Sequence, residues 1–158
     1  MKIETGKNYS ILSNSIDHKL LTEFSEYTVL DDTNTFDTIT ETIEKSLNKI
    51  IVFNDCLRLL RKIQKEKIVD LLRIRNMNFI NITSNIEETL YSDYLYVLDA
   101  DKVIIEGKTT EVLKEEKILK RLGFGLPFCI DISTQLGYYG ILNKVYYDIE
   151  GLVNDLWN

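Results

Sequence analysis

Three short stretches carry the residue types that phosphate chemistry uses. The polar run Ser13-Asn-Ser-Ile-Asp-His-Lys19 follows the apolar Tyr9-Ser-Ile-Leu12, and Asn54-Asp55 closes the apolar run Lys49-Ile-Ile-Val-Phe53. Thr83-Ser84 closes a third, Asn78-Phe-Ile-Asn-Ile82. A lysine after one strand and an acid after another can neutralise phosphate charge and hold magnesium. A working phosphate loop also needs glycines, so that its backbone N–H groups can wrap the anion, and a hydroxyl after the lysine for the metal. Here the loop has no glycine, Asp17 would repel a phosphate, and Leu20 stands where the hydroxyl would fall. A plain loop capping a helix is therefore favoured over a phosphate cradle.

Other combinations fail sooner. Asp31, Asp32 and Asp55 with Thr83 and Lys102 are the types that bind magnesium and accept a phosphoryl group. The span between Asp32 and Asp55 is short for the helices and strand that such a site requires, and no Lys-Pro follows the last strand. One histidine and two distant cysteines do not make a zinc set. No serine or cysteine motif points to His18 as a base. Asp99-Ala-Asp101 reads as a turn, because two acids alone seldom hold calcium.

The elements that would position these residues alternate. Strand patterns cover Tyr9–Leu12, Tyr27–Leu30, 49–53 and 78–82, and helical spacing runs through Ile39, Ile43 and Leu47 and then from Leu57 to Arg75. Four apolar residues in a row at 50–53 mark a strand buried on both faces, as in a parallel sheet. Ser84 or Asn85 can cap a short helix with Glu87, Glu88 and Leu90. Tyr94–Leu98 and Lys102–Ile105 form a hairpin across a polar turn. The pattern predicts an α/β fold: one mainly parallel sheet with flanking helices and this antiparallel pair at an edge. Gly107 marks the boundary with a small helical appendage, giving a core at 1–107 and an extension at 108–158.

The composition sets the surroundings. With 25 acids against 19 bases, the net charge of -6 opposes nucleic acid unless a local basic patch intervenes. The densest patch, Arg58 to Lys67, shares its helix with apolar residues, has no interleaved aromatics, and reads as a solvated face. No apolar run approaches the ~18 residues of a membrane span. The N-terminus lacks an apolar signal core, and two isolated cysteines suit a reducing compartment. A soluble cytoplasmic protein is expected.

The stretch from Asn81 to Gly107, with a strand, a short acidic helix and a hairpin ending in Glu106-Gly107, resembles part of ATP-binding cassette (ABC) ATPases. Thr110-Glu-Val-Leu, Leu119-Lys-Arg-Leu-Gly123, Leu126-Pro-Phe128 and Asp148-Ile-Glu-Gly-Leu-Val153 are similar to the C-terminal extension of the ABC ATPases that drive energy-coupling-factor (ECF) transporters. The resemblance covers residues 78–156 well and 1–56 in outline. It implies a reduced P-loop NTPase core in which Lys19, Asn54, Asp55 and Ser84 occupy vestigial nucleotide-site positions. Asn54-Asp55 stands where the family's Walker B strand ends in Asp-Glu, and Ser84 where a switch histidine belongs. The helical subdomain and Leu-Ser-Gly-Gly signature are missing between Leu30 and Lys49.

These departures point to a noncatalytic interaction or regulatory protein with no catalytic residue, no metal site and no obligatory cofactor. Residual binding of ATP and magnesium stays open. The family extension joins ATPase subunits, so the implied partner is a second copy or an intact transporter ATPase, with the membrane reached only through a transporter. Phe124, Leu126, Phe128, Tyr138, Tyr139 and Trp157 are the interface candidates, within a self-complementary surface spanning Leu119 to Trp157. Packing of the appendage on the sheet is the plain alternative. The competing functions are a nucleotide-binding protein or ATP hydrolase using Lys19 and Asp55 with an atypical loop, and a receiver-like signalling domain.

Overall fold

A computed structural model describes residues 3–4, 6–15, 22, 24 and 26–157. Strands β1 (Tyr9–Leu12), β2 (Thr28–Leu30), β3 (Ile50–Asn54), β4 (Asn78–Thr83), β5 (Tyr94–Asp99) and β6 (Lys102–Lys108) form one sheet in the order β2-β3-β4-β1-β5-β6. β2, β3, β4, β1 and β5 run parallel, and β6 pairs antiparallel with β5. This is the sheet that the apolar runs predict, with the hairpin at its edge.

Helix α1 (Phe36–Lys45) begins at Thr35, whose side chain accepts from the Thr38 N–H, and it buries Ile39 and Ile43, one turn apart. Helix α2 (Lys62–Ile74) buries Ile68 and Leu72 in the same way. The single helix expected from Leu57 to Arg75 is broken: Leu57–Leu59 is a 3-10 turn, Leu60 and Arg61 are extended, and Gln64 accepts from the Arg61 N–H to open α2. Leu57 is buried beside Cys56, which pulls the chain onto the sheet before α2 can start. Asn76, with φ of 52°, ends α2 in the left-handed region that Asn tolerates.

The sheet is covered on both faces. One side of β3 and β4 (Ile51, Phe53, Phe79) packs on Ile39, Ile43, Leu57, Ile68 and Leu72. The other side gathers Tyr9, Ile11, Val52, Ile80, Ile82, Tyr96 and Leu98 around Phe24. Asn8 fastens the start of β1, its amide oxygen accepting from the Phe79 N–H at 3.1 Å and its N–H donating to Asp93 at 2.9 Å.

The chain divides into two compact units at Lys114/Glu115. The short helix α3 (Thr109–Val112) lies in the sheet unit, where Val112 approaches Gly107. The second unit holds α4 (Glu116–Arg121), α5 (Phe128–Tyr138) and α6 (Ile149–Trp157). Its buried cluster is Leu142, Tyr146 and Leu152, with Ile132 and Leu136 packed against it. A Cβ on Gly151 would sit 3.0 Å from the Tyr146 ring, so glycine permits the close approach of α6. Among the described residues, no helix is long and apolar enough to cross a membrane.

Candidate functional site

The parallel strands bring three of the sequence motifs together at their carboxyl ends. The Ser13 N–H donates to the Thr83 carbonyl at 3.0 Å, and the Asp55 N–H donates to the Ile82 carbonyl at 2.8 Å. The end of β4 thus lies between the ends of β1 and β3, and Asn54, Asp55 and Ser84 share one rim of the sheet. Lys19 and His18, with Asp17 and Leu20, lie outside the described residues.

Asp55 holds φ at 54°, a left-handed conformation that Asp tolerates better than most residues. Its Oδ2 accepts from Arg58 Nε at 3.0 Å, while its Oδ1 and the Oδ1 of Asn54 are buried without a hydrogen-bond partner. Ser84 is exposed. The Ser13 hydroxyl turns back on the loop and donates to the Ser15 carbonyl at 2.7 Å.

Behind this rim sits a buried polar cluster that sequence reasoning missed. The Thr83 hydroxyl donates to Glu88 at 2.8 Å and accepts from the Asn85 N–H at 3.0 Å. The other carboxylate oxygen of Glu88 receives Lys65 Nζ at 2.7 Å, with the side chains only 1% and 11% exposed. Asp55, just past β3, and Glu88, in the 3-10 turn Ile86–Tyr91 after β4, therefore each carry an internal base: Arg58 for Asp55 and Lys65 for Glu88. Arg58 lies three residues from Asp55, a spacing that the sequence shows. Lys65 and Glu88 are distant in sequence, and no local pattern links them. Deeper in the sheet, Ser10 on β1 and Asn81 on β4 are register partners, and their side-chain polar atoms are buried without partners.

The remaining chemistry is muted. Burial pushes the Cys56 thiol up to about 12, which leaves it protonated and unreactive at neutral pH. No group of three or more metal-ligating side chains occurs among the described residues. Asp31 turns inward to Thr33, whose hydroxyl and N–H hold its carboxyl below the ordinary range. Lys102 follows β5, separated from β4 by β1, so the topology does not gather Thr83 and Lys102 around Asp55.

In the helical unit, Phe124 and Leu126 are half-buried, whereas Phe128, Tyr138, Tyr139 and Trp157 are exposed. Tyr139 and Trp157 keep 79% and 78% of their surface in solvent. These two are not consumed by packing the unit itself.

No protein-family model matches the chain. Over 114 residues it is 32% identical to the energy-coupling factor transporter ATP-binding protein EcfA1 of Lactobacillus delbrueckii subsp. bulgaricus, covering 69% of this chain and 40% of that protein. The EcfA1 protein of Bacillus subtilis is 30% identical over 113 residues, with 68% and 40% covered. The chain thus spans 40% of the length of these relatives. Among solved structures, CbiO1 from Clostridium perfringens, part of the ABC transporter complex CbiONQ, superposes with a TM-score of 0.51 at 12% identity. That match covers 77% of this chain and 85% of CbiO1, and it shows the fold.

Proposed function

Starting from a chain that is a relative of the ATP-binding proteins of ECF transporters, with their ABC ATPase fold, we propose that it is a noncatalytic partner protein of the cytoplasm. It assembles with a second copy or with an intact transporter ATPase. The observation that carries this reading is the rim of the sheet. Asn54 supplies no charge where a magnesium-holding acid is needed, and the next carboxylate, Asp55, is engaged by Arg58 at 3.0 Å. The exposed Ser84 offers no imidazole, and the loop from Ser13 to Lys19 has no glycine. The residues present do not fit a catalytic magnesium–nucleotide complex, so no step of hydrolysis is derived from them. Each missing transition-state contact is typically worth ~3 kcal/mol, and losing several together removes measurable turnover.

The test is a magnesium-dependent ATPase assay on the purified protein. Phosphate release should equal the buffer background. Turnover that Asp55→Asn abolishes would overturn the reading and restore an ATP hydrolase acting through Asp55.

One observation favours retained binding as a second reading. The unpartnered Oδ1 atoms of Asn54 and Asp55 are buried acceptors at the strand ends, where a hydrated cation or a donor would satisfy them. Thermal unfolding with and without magnesium–ATP separates the two. Ligand at a hundredfold excess over its dissociation constant stabilises by ~2.7 kcal/mol, and an unchanged midpoint excludes binding at that strength.

A further inference from the structure

The face of the sheet that carries Phe53 and Phe79 is mostly apolar, but one row across it is not. Register partners on neighbouring strands point to the same side. Phe53 on β3, Asn81 on β4, Ser10 on β1 and Leu95 on β5 therefore stand side by side, and all four are sealed from solvent. The row lies wholly within the sheet unit. Thr83, two residues along β4 from Asn81 and on the same side, donates to Glu88 at 2.8 Å. That bond sets the 3-10 turn Ile86–Tyr91, which packs against β1 and β4, over this side of the sheet.

The buried polar groups around the row close on one another. Lys65 holds the second oxygen of Glu88. The Thr89 hydroxyl donates to the Ile86 carbonyl at 2.7 Å, and the Ser92 hydroxyl donates to the Thr89 carbonyl at 2.8 Å. Apart from the rim acceptors of Asn54 and Asp55, the sheet unit keeps three buried side-chain polar atoms without a hydrogen-bond partner among the described residues. They are Ser10 Oγ and both polar atoms of the Asn81 amide. A buried polar atom left unpaired forfeits its hydrogen bonds to solvent with no return, which folded proteins seldom tolerate.

The chemistry of this set selects what would satisfy it. The amide offers N–H donors and a carbonyl acceptor, and the hydroxyl offers one donor and two lone pairs. An ion of either sign would meet repelling and attracting dipoles together, and no charge in the row offsets its desolvation. An apolar guest would leave all three atoms unpaired. Water donates and accepts, and three polar partners are the number that an internal water ordinarily binds. Serine is the smallest side chain of the row, so the row is lowest beside the amide. We propose that this layer is a binding site for one internal water, which bridges the Ser10 hydroxyl to the Asn81 amide. The bridge links β1 to β4 through side chains beneath the 3-10 turn, in addition to their backbone ladder.

The test is a crystal structure of the full chain at a resolution that shows ordered water. A density peak should stand about 2.7–3.2 Å from Ser10 Oγ and from a polar atom of Asn81. An Asn81 amide bonded directly to Ser10 Oγ, with no peak between them, overturns the proposal. In solution, the Asn81 side-chain amide protons should show water cross-peaks of opposite sign in the laboratory and rotating frames, the mark of a long-lived bound water. Those cross-peaks should persist in Ser10→Ala, where no hydroxyl proton can relay them. Their loss in that variant assigns them to the hydroxyl and overturns the water. Stability puts the same question independently. Ser10→Ala should raise the unfolding equilibrium constant about fivefold, the effect of losing one hydrogen bond. A variant more stable than the wild type would mean an unpaired hydroxyl in a dry layer, which also overturns the proposal.

Discussion

The two units bury apolar residues to different degrees. In the sheet unit both faces of the central strands are sealed, and Ile11, Ile39, Ile43, Ile51, Val52, Ile68 and Ile82 are entirely inaccessible to solvent. In the helical unit the cluster of Leu142, Tyr146 and Leu152 is small, while Tyr138, Tyr139, Ile141, Ile149, Val153 and Trp157 remain exposed. The sheet unit buries most of its apolar residues, although Leu47, Leu59, Ile63 and Ile74 stay exposed. The helical unit keeps a larger share of its own apolar residues outside.

Breaking the sheet side of this comparison should have the largest effect. Phe79→Ala removes a ring packed 6.0 Å from that of Phe53 in the sealed face, and urea unfolding should show a loss of about 4 kcal/mol. A loss below about 1 kcal/mol would mean that this face is far looser than its burial indicates.

Next comes the buried ion pair. Lys65→Ala leaves the nearly inaccessible Glu88 carboxyl without its ammonium, and urea unfolding should register a loss of about 3 kcal/mol. Lys65→Met with Glu88→Leu should recover much of that loss, because replacing both partners by apolar groups removes the unpaired carboxyl. If the single and double variants are equally unstable, the pair is not the source.

The smallest effect belongs to the helical unit. Val153→Ser should change stability in urea unfolding by no more than about 0.5 kcal/mol. A large destabilisation would show that Val153 is packed within its own chain, and the contrast between the units would vanish.

Periodicity carried the sheet. Strands at Tyr9–Leu12 and Asn78–Ile82 are found where apolar runs place them, because a strand buried on both faces leaves few alternatives. The 57–75 helix was over-extended, since helical spacing at Leu57 and Leu60 also suits a 3-10 turn followed by an extended link. At the rim, Asn54, Asp55 and Ser84 were legible because each follows a strand. The Lys65–Glu88 pair was not, since it is made by two elements that only the folded sheet brings into contact. The strand order was equally hidden: apolar runs say that strands are buried, and do not say that β1 inserts between β4 and β5.

That insertion has a consequence for the time course of folding. Asn8 is held by groups 71 and 85 residues further along the chain, and both strands beside β1 are made after it during synthesis. β2, β3 and β4 can join in sequence as they leave the ribosome, but Tyr9, Ile11 and Leu12 must wait for β4 and then β5. Non-local pairing of this kind slows folding, because the intervening loop has to close before any contact rewards it. Until then the nascent chain carries an unpaired apolar strand, a segment open to misassociation.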